Sequence, residues 1–277
     1  FGLHFSCFIV ICFETGDITY LFFYAFQQIV LYATVILFRM LYPKTNRLLV
    51  NNMCMLLTVG FVILTRLSLG KAIRQFIIVM ISLVIALVIP FFVSRFRFLK
   101  EWKWIYAAAG IVALGIVLVL GQTTYGSKLS YTIAGLTFQP SEFVKIIFVF
   151  FVASALYKAA GFFEVFTTAV IAAAHVIILV CSKDLGSALI FFVLFVLMVV
   201  VASKNWLYLL AGVSGGSVAA YLAYRVFPHI QVRVQAFKDP WSVIDSTGYQ
   251  ITQSLFAITS GGWFGLGLFK GTPESIP

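Results

Sequence analysis

The stretch FQPSEFVKIIFVFF, residues 138–151, joins a long apolar run to two charged side chains at its start. From Phe143 onward its composition is that of a helix buried in lipid, yet Glu142 and Lys145 stand where this helix begins. A charge at the centre of a membrane helix costs about 2.5–3.5 kcal/mol on insertion scales, and less toward the ends. The stretch therefore predicts a membrane helix whose charged entrance needs an explanation.

The whole chain has the composition of a protein that crosses the membrane several times. Of its 277 residues, 62% are hydrophobic and only 10% are charged, with a mean hydropathy of +1.07. Average soluble domains carry about 25% charged residues, and a spanning helix needs about 20 apolar residues. We therefore expect an all-α, polytopic membrane helix bundle. Its predicted spans lie near 18–42, 53–70, 75–94, 104–122, 139–157, 165–182, 185–203 and 206–227.

The formal net charge of +10 and the isoelectric point of about 9.5 fit a membrane protein better than a nucleic-acid-binding one. Basic residues collect on cytoplasmic loops of membrane proteins and favour anionic lipid, and here they form no continuous stripe. The basic segment SRFRFLKEWK, residues 94–103, is predicted to be cytoplasmic. Residues 123–138 and the long polar loop 229–277 then face outward. Nucleic acid is not an expected partner.

Neither the cysteines nor the chain ends indicate a secreted or disulfide-bonded protein. Four cysteines show no CxxC pairing and lie in or beside apolar spans, which favours free thiols. The chain begins with Phe1 inside an apolar run, without a cleavable signal-peptide layout, and stops at TPESIP. Both ends are typical of a fragment of a longer protein.

Three charged residues are expected at similar depth in the outer leaflet. Glu142 and Lys145 are three apart on a helix and so share one face, and Asp184 starts a later span from the same side. A packed ion pair or a lysine that reaches the headgroups explains part of this pattern. The alternative is a polar cavity open to the outside, because one lysine and two carboxylates leave an acid without a partner. That acid would need a ligand, a proton or another cation.

The outer loop holds two further patterns. GYQITQSLFAI, residues 248–258, predicts an amphipathic helix on the membrane surface, with Leu255, Phe256 and Ile258 toward the lipid. SGGWFGLGLFKG, residues 260–271, could present backbone N–H groups to a phosphate. Its spacing is not that of a dinucleotide-binding motif, so by spacing alone the phosphate interpretation is weak.

Four motifs, in this order, resemble those of the SEDS family, the RodA/FtsW/SpoVE group of shape, elongation, division and sporulation proteins. They are FQPSEFVK (138–145), KDLGSAL (183–189), FKDPW (237–241) and GYQITQSLFAITSGGWFGLGL (248–268). The resemblance implies a ten-span core in the bacterial cytoplasmic membrane and peptidoglycan glycosyltransferase activity. The implied substrate is lipid II, polymerised outside the membrane beside a class B penicillin-binding protein. It also implies an N-terminal extension (1–52), a seven-span part of the core (53–228) and an extracellular loop carrying part of the site (229–277).

The resemblance transfers roles to particular residues. Glu142, Lys145 and Asp184 match charged cavity positions of the family, and Arg233 matches its loop arginine. The family's catalytic aspartate normally follows the segment that closes this sequence and is absent from the chain. Many members have a tryptophan where Ser130 stands, so an aromatic platform for the sugar is not expected there. The expected substrate-binding residues are Ser141, Arg233, Lys238, Gln250, Gln253 and Lys270.

Two other functions remain open from the sequence alone. A polar outward cavity also suits a transporter that moves a lipid-linked precursor across the bilayer, and a chain without its catalytic base could act as a scaffold for a cell-wall synthase. No cofactor is expected. The carboxylates could bring in a divalent cation, but the sequence has no metal-ligand cluster of recognised spacing.

Overall fold

The computed structural model describes residues 1–124, 127–133, 136–157 and 161–271, with the backbone alone for Arg97 and for the strands between 122 and 138. In these residues the chain is almost entirely helical, which confirms the all-α fold class. The helices are α1 (Gly2–Thr15), α2 (Thr19–Leu41), α3 (Arg47–Leu67), α4 (Leu69–Arg95), α5 (Lys103–Leu120), α6 (Pro140–Ala155), α7 (Phe162–Cys181), α8 (Leu185–Ser203), α9 (Leu207–Val226), α10 (Pro228–Lys238) and α11 (Tyr249–Gly261).

Seven helices of the described residues are long and apolar enough to cross a membrane, namely α2, α3, α4, α5, α7, α8 and α9. The predicted span 139–157 is the exception, because α6 has only 16 residues. At 1.5 Å per residue it is about 24 Å long, which is less than the hydrocarbon core of roughly 30 Å. If α6 crosses the bilayer, one of its ends therefore lies inside a leaflet.

The predicted long loop after residue 228 is more ordered than its polarity suggested. It contains α10, which the sequence analysis did not predict, and α11, which it did. Pro228 opens α10 at a position where the missing N–H of proline costs nothing. The predicted loop 229–277 therefore contains two helices, and its separation from the rest of the chain stays a prediction.

A small antiparallel sheet connects α5 to α6. Strands β1 (Gln122–Thr124), β2 (Ser127–Ile133) and β3 (Leu136–Phe138) lie in the order β1-β2-β3. In the register, Tyr131 is paired with Phe138, directly before α6. The side chain of Ser130, where a sugar platform was not expected, lies outside what the structure describes.

The chain forms two compact units, residues 1–94 with 235–277, and residues 95–234. The division into 1–52, 53–228 and 229–277 stays a prediction. In the first unit, one core packs Phe8 and Ile11 of α1 against Phe23, Val62 and Ala72. His4 is fully buried there and bonds to the side chains of Gln27 (3.0 Å) and Gln28.

The second unit is built around α5, α6, α7 and α8. Phe148 and Phe191 are fully buried and pack with their ring centroids 4.7 Å apart. His175 lies in the same core with no exposed surface, and its Nδ1 is 2.8 Å from the Ile171 carbonyl. Its ring contacts those of Phe148 and Phe191, so His175 is a packing residue of this core. The core fixes the start of α6 beside the start of α8.

Candidate functional site

The first turn of α6 carries a close ion pair. Pro140 occupies the first helical turn, and Glu142 follows where the positive end of the helix dipole favours a carboxylate. The Nζ of Lys145 lies 3.0 and 2.9 Å from the two carboxylate oxygens of Glu142. The Lys145 side chain is 22% exposed and that of Glu142 is 56% exposed. A pair this accessible adds little stability, so stability alone does not explain the charges.

Ser141 ties α6 to the start of α8. Its side chain is buried, accepts a hydrogen bond from Nε2 of Gln139 (3.0 Å) and donates one to Oδ2 of Asp184 (3.4 Å). Since Ser141 and Lys145 are four residues apart, both lie on one face of α6. Ser141 thus links Asp184 to the turn of α6 that carries the Glu142–Lys145 pair, and the grouping of the three charges in one cavity stays a prediction.

Asp184 is held by the tight turn between α7 and α8. The N–H of Asp184 donates to the Leu179 carbonyl (2.9 Å) and that of Lys183 to the Val180 carbonyl (3.0 Å), which is the Schellman pattern at the end of α7. Lys183 occupies the position usually taken by glycine, with a φ of 63°. A left-handed conformation costs a residue with a side chain about 1–2 kcal/mol. Asp184 then caps α8 by accepting from the Ser187 N–H at 3.0 Å.

Helix α10 brings two more basic groups to this turn. His229 and Arg233 are four residues apart and so share a face of the helix. Burial lowers the pKa of His229, and the positive charges of Lys183 and Arg233 lower it further, while a hydrogen bond with the Val180 backbone raises it. In the part of the chain that the structure describes, the buried Nε2 of His229 has no hydrogen-bond partner.

His229 was not among the residues that the sequence singled out. The available signal was its spacing from Arg233 just after the proline that starts α10. His229 lies close enough to Lys183 and Arg233 for both charges to act on it, so this turn carries three basic side chains beside Asp184. Such a neighbourhood can bind an anionic group.

The remaining predicted residues belong to the first compact unit. Lys238 is the last residue of α10 and is exposed. Gln250 and Gln253 lie three apart on α11, with Gln250 exposed and Gln253 half-buried, and Lys270 is exposed. Their assignment to substrate binding stays a prediction.

The DPW motif and α11 are joined by a close backbone approach. A Cβ atom on Gly248 would lie 2.4 Å from the Pro240 carbonyl oxygen and 2.9 Å from that of Val243. Gly248 also donates its N–H to the Val243 carbonyl (2.9 Å). Only glycine fits at position 248, because any side chain would collide with the Pro240 carbonyl. The turn at Gly248 leads directly into α11, which carries Gln250 and Gln253.

Arg66 is a second residue that sequence reasoning missed. It lies in the last turn of α3, and its Nη2 donates to the Gly271 carbonyl (2.9 Å). Its guanidinium also lies 5.3 Å from the centroid of the Phe269 ring. Because Phe269 packs on the Phe8 core, the guanidinium fixes the segment that ends at Gly271 onto the end of α3.

A metal site is not evident in the described residues. Within residues 1–124, 127–133, 136–157 and 161–271, no group of three or more His, Cys, Asp and Glu side chains could hold a metal ion. The chemistry that these residues offer is that of an ammonium, a guanidinium, an imidazole and two carboxylates.

Comparison with known proteins agrees with these features. The sequence model of the FTSW_RODA_SPOVE family, described as "Cell cycle protein", matches residues 46–277. The chain belongs to this family. The family match begins after α2, so α1 and α2 lie outside it. The seven candidate spans and family membership make this family member a multi-pass protein of the cytoplasmic membrane.

The relatives named below are peptidoglycan glycosyltransferases. RodA of Mycobacterium tuberculosis is 29% identical over 264 residues, covering 85% of this chain and 56% of the relative. RodA of Mycobacterium leprae is 30% identical over 261 residues with the same coverage. A probable FtsW of Hydrogenovibrio crunogenus is 32% identical over 172 residues, which are 60% of this chain and 44% of that protein. The chain spans about half the length of the curated relatives it matches.

A solved structure shows the same fold. It comes from work on how a peptidoglycan synthase complex coordinates polymerization and crosslinking. Its matching chain is 27% identical, with a TM-score of 0.58 over 79% of this chain and 67% of that one.

Proposed function

We propose that the full-length protein is a peptidoglycan glycosyltransferase that polymerises lipid II into glycan strands at the outer face of the cytoplasmic membrane. The observation that supports this most directly is the neighbourhood at the start of α6. There a lysine paired with Glu142 at 2.9 Å lies one turn from Ser141, which is bonded to Asp184. The glycosyltransferase names of the relatives agree with it.

The proposed chemistry needs a positive charge where the donor loses its lipid diphosphate. An acceptor sugar hydroxyl attacks C1 of the donor sugar and gives its proton to a base. The bond between C1 and the diphosphate oxygen breaks, and the lipid diphosphate leaves with the electron pair. Fixed cations stabilise the negative charge that develops on this leaving group in the transition state. Such electrostatic stabilisation is usually the largest single contribution to the rate enhancement of an enzyme. Lys145 supplies such a cation, and Glu142 holds its ammonium in place.

Asp184 has a different part in this proposal. Its Oδ1 caps α8 and its Oδ2 accepts from Ser141, so the carboxylate is fixed from two sides. It positions the start of α6, and with it Lys145, by a contact between two helices. Arg233 and Lys183 add positive potential at the same turn, which favours an anionic lipid substrate. Lys238, Gln250, Gln253 and Lys270 are proposed to contact the substrate from the outer loop.

The short length of α6 fits this role. A helix of about 24 Å whose apolar end reaches the inner face leaves its charged end inside the outer leaflet. Lys145 would then lie near the depth of a lipid diphosphate, below the headgroup surface. The crosslinking partner in this proposal is a class B penicillin-binding protein, in line with the synthase complex that contains the structural neighbour.

The proposal is tested with full-length protein and its partner synthase, supplied with labelled lipid II. The wild type should give a ladder of glycan strands, and Lys145→Met should lower the rate about 100-fold. Lys204→Met, at the far end of α8, is the matched control and should keep the wild-type rate. An added arm with EDTA shows whether a divalent cation on the diphosphate is needed.

The other two functions give different results in the same system. A transporter would move lipid II across asymmetric liposomes without forming strands. A scaffold would leave all strand formation to the partner, so that Lys145→Met would have no effect on the ladder. Either result would refute the polymerase.

A further inference from the structure

An apolar groove runs along the surface of the second unit, at the opposite end of α6 from Lys145. Its volume is about 380 Å³. It lies between the last two turns of α6 and the second half of α8. Its lining includes Val152, Leu156, Tyr157, Leu197, Met198 and Val201. Leu197 and Val201 are exposed, so the groove opens to the side of the helix bundle.

One end of this groove carries a positive charge. The Nζ of Lys100 donates to the hydroxyl of Tyr157 at 3.0 Å and lies 4.2 Å from the centroid of the Tyr157 ring. The hydroxyl of Ser154 donates to the Lys100 carbonyl. The 3₁₀ turn Arg97–Lys100 is thereby fixed on the end of α6, and the ammonium is held against Tyr157, which lines the groove.

The Lys100 ammonium has a neutral phenol as its partner. Throughout the residues that the structure describes, the one ion pair within 4.0 Å is that of Glu142 and Lys145. A lysine ammonium has three donors, so two remain for other acceptors. The surrounding segment 94–103 contains four basic residues and one acidic residue, and it is the part of the chain predicted to be cytoplasmic.

We propose that this groove binds an anionic glycerophospholipid of the inner leaflet, with one acyl chain along α6 and α8 and the phosphate on Lys100. The shape and the charge select this occupant together. The apolar walls match a hydrocarbon chain, and a basic pocket at the cytoplasmic ends of membrane helices is the usual receptor for an anionic headgroup. A zwitterionic lipid would meet the same walls but would bring no net charge to balance Lys100.

The test is a binding titration of the purified full-length protein in detergent, followed by native mass spectrometry. The probes are dioleoyl phosphatidylglycerol and dioleoyl phosphatidylcholine. The wild type should bind phosphatidylglycerol about fivefold more tightly, the factor expected for one lysine near a headgroup. Lys100→Gln should remove this preference, and Lys100→Arg should keep it, which excludes a folding defect.

Two matched pairs separate the groove from its surroundings. Lys103→Gln removes the same charge from the same segment, at a lysine whose ammonium lies 5.3 Å from the Trp104 ring, and should leave the preference intact. Ala153→Trp fills the groove and should weaken the binding of both lipids. Ala109→Trp, at an exposed site of α5, should leave the binding of both lipids unchanged. Equal effects of Lys100→Gln and Lys103→Gln, or full binding by Ala153→Trp, would overturn the proposal. Strand formation is not part of this readout, so the proposal stands or falls independently of the polymerase.

Discussion

Asp184 serves two helices at once through its bond with Ser141. Its Oδ2 accepts from the Ser141 hydroxyl of α6 at 3.4 Å, while its Oδ1 accepts from the Ser187 N–H of α8 at 3.0 Å. One carboxylate therefore ends the α7–α8 turn and fixes the start of the neighbouring helix. In this account that contact holds the Lys145 ammonium in position.

The two roles of Asp184 can be separated by substitution. Asp184→Asn keeps a side-chain oxygen that can cap α8, so thermal stability should stay within about 0.5 kcal/mol of the wild type. Asp184→Ala removes the cap and should cost about 1 kcal/mol. Both variants should lose strand formation, because the charged partner of Ser141 is gone. If Asp184→Asn polymerised lipid II at the wild-type rate, Asp184 would be a helix cap and nothing more.

His229 should make stability depend on pH in a way that Lys183 controls. Because its pKa is lowered in the folded protein, the unfolded chain takes up this proton at a higher pH than the folded one. Stability should therefore fall as the pH drops below about 6.5, the ordinary histidine value. Lys183→Asn removes a charge that lowers the pKa and keeps a residue that tolerates positive φ. Melting temperatures at pH 7.5 and 5.5 should differ less in Lys183→Asn than in the wild type.

The control for this prediction is His229→Gln, which removes the titrating group. The difference between its melting temperatures at pH 7.5 and pH 5.5 should be the smallest of the three proteins. A loss in Lys183→Asn as large as that of the wild type would mean that the lysine charge does not act on His229.

Gly248 should be intolerant of any side chain. A methyl group there would lie 2.4 Å from the Pro240 carbonyl oxygen, so Gly248→Ala must open the turn between the DPW motif and α11. Amide hydrogen exchange across 249–261 should become faster. Gly261→Ala, where a Cβ meets nothing within 4 Å, is the matched control and should leave exchange unchanged. Equal exchange in both variants would contradict the close packing of this turn.

Arg66 should hold the segment that ends at Gly271 onto the end of α3. Arg66→Met removes the hydrogen bond to the Gly271 carbonyl and the contact with the Phe269 ring. A protease should then cut between residues 262 and 271 more rapidly. Arg74→Met changes an exposed arginine of α4 and should leave the cleavage rate as in the wild type. Protection that survives Arg66→Met would show that apolar packing alone holds the segment.

Much of the fold could be predicted from hydrophobic runs alone. The span predicted at 185–203 coincides with α8, and 18–42 differs from α2 by one residue at each end. The start of α3 was placed too late, because Asn46 caps it and polar residues fill its first turns. A window that counts apolar residues does not detect such a cap.

The contacts of the candidate site were harder to predict from the sequence than the helices. The pairing of Glu142 with Lys145 follows from helix spacing, since it joins two residues of one helix. The bond from Ser141 to Asp184, the contact of His229 with the α7–α8 turn and the bond from Arg66 to Gly271 join distant segments. They depend on how helices pack, which a local pattern does not contain. Helix α10 was missed because its low hydrophobicity resembles that of a loop.

The most direct test of the central claim is the affinity of the full-length protein for fluorescent lipid II in nanodiscs. We propose that the Lys145 ammonium binds the diphosphate of lipid II. A hydrogen bond to a charged group contributes about 1.5–3 kcal/mol. Lys145→Met should therefore weaken lipid II binding at least about tenfold, while Lys44→Met, in the exposed turn before α3, should bind as the wild type does. Equal affinity of the wild type and Lys145→Met would contradict the account.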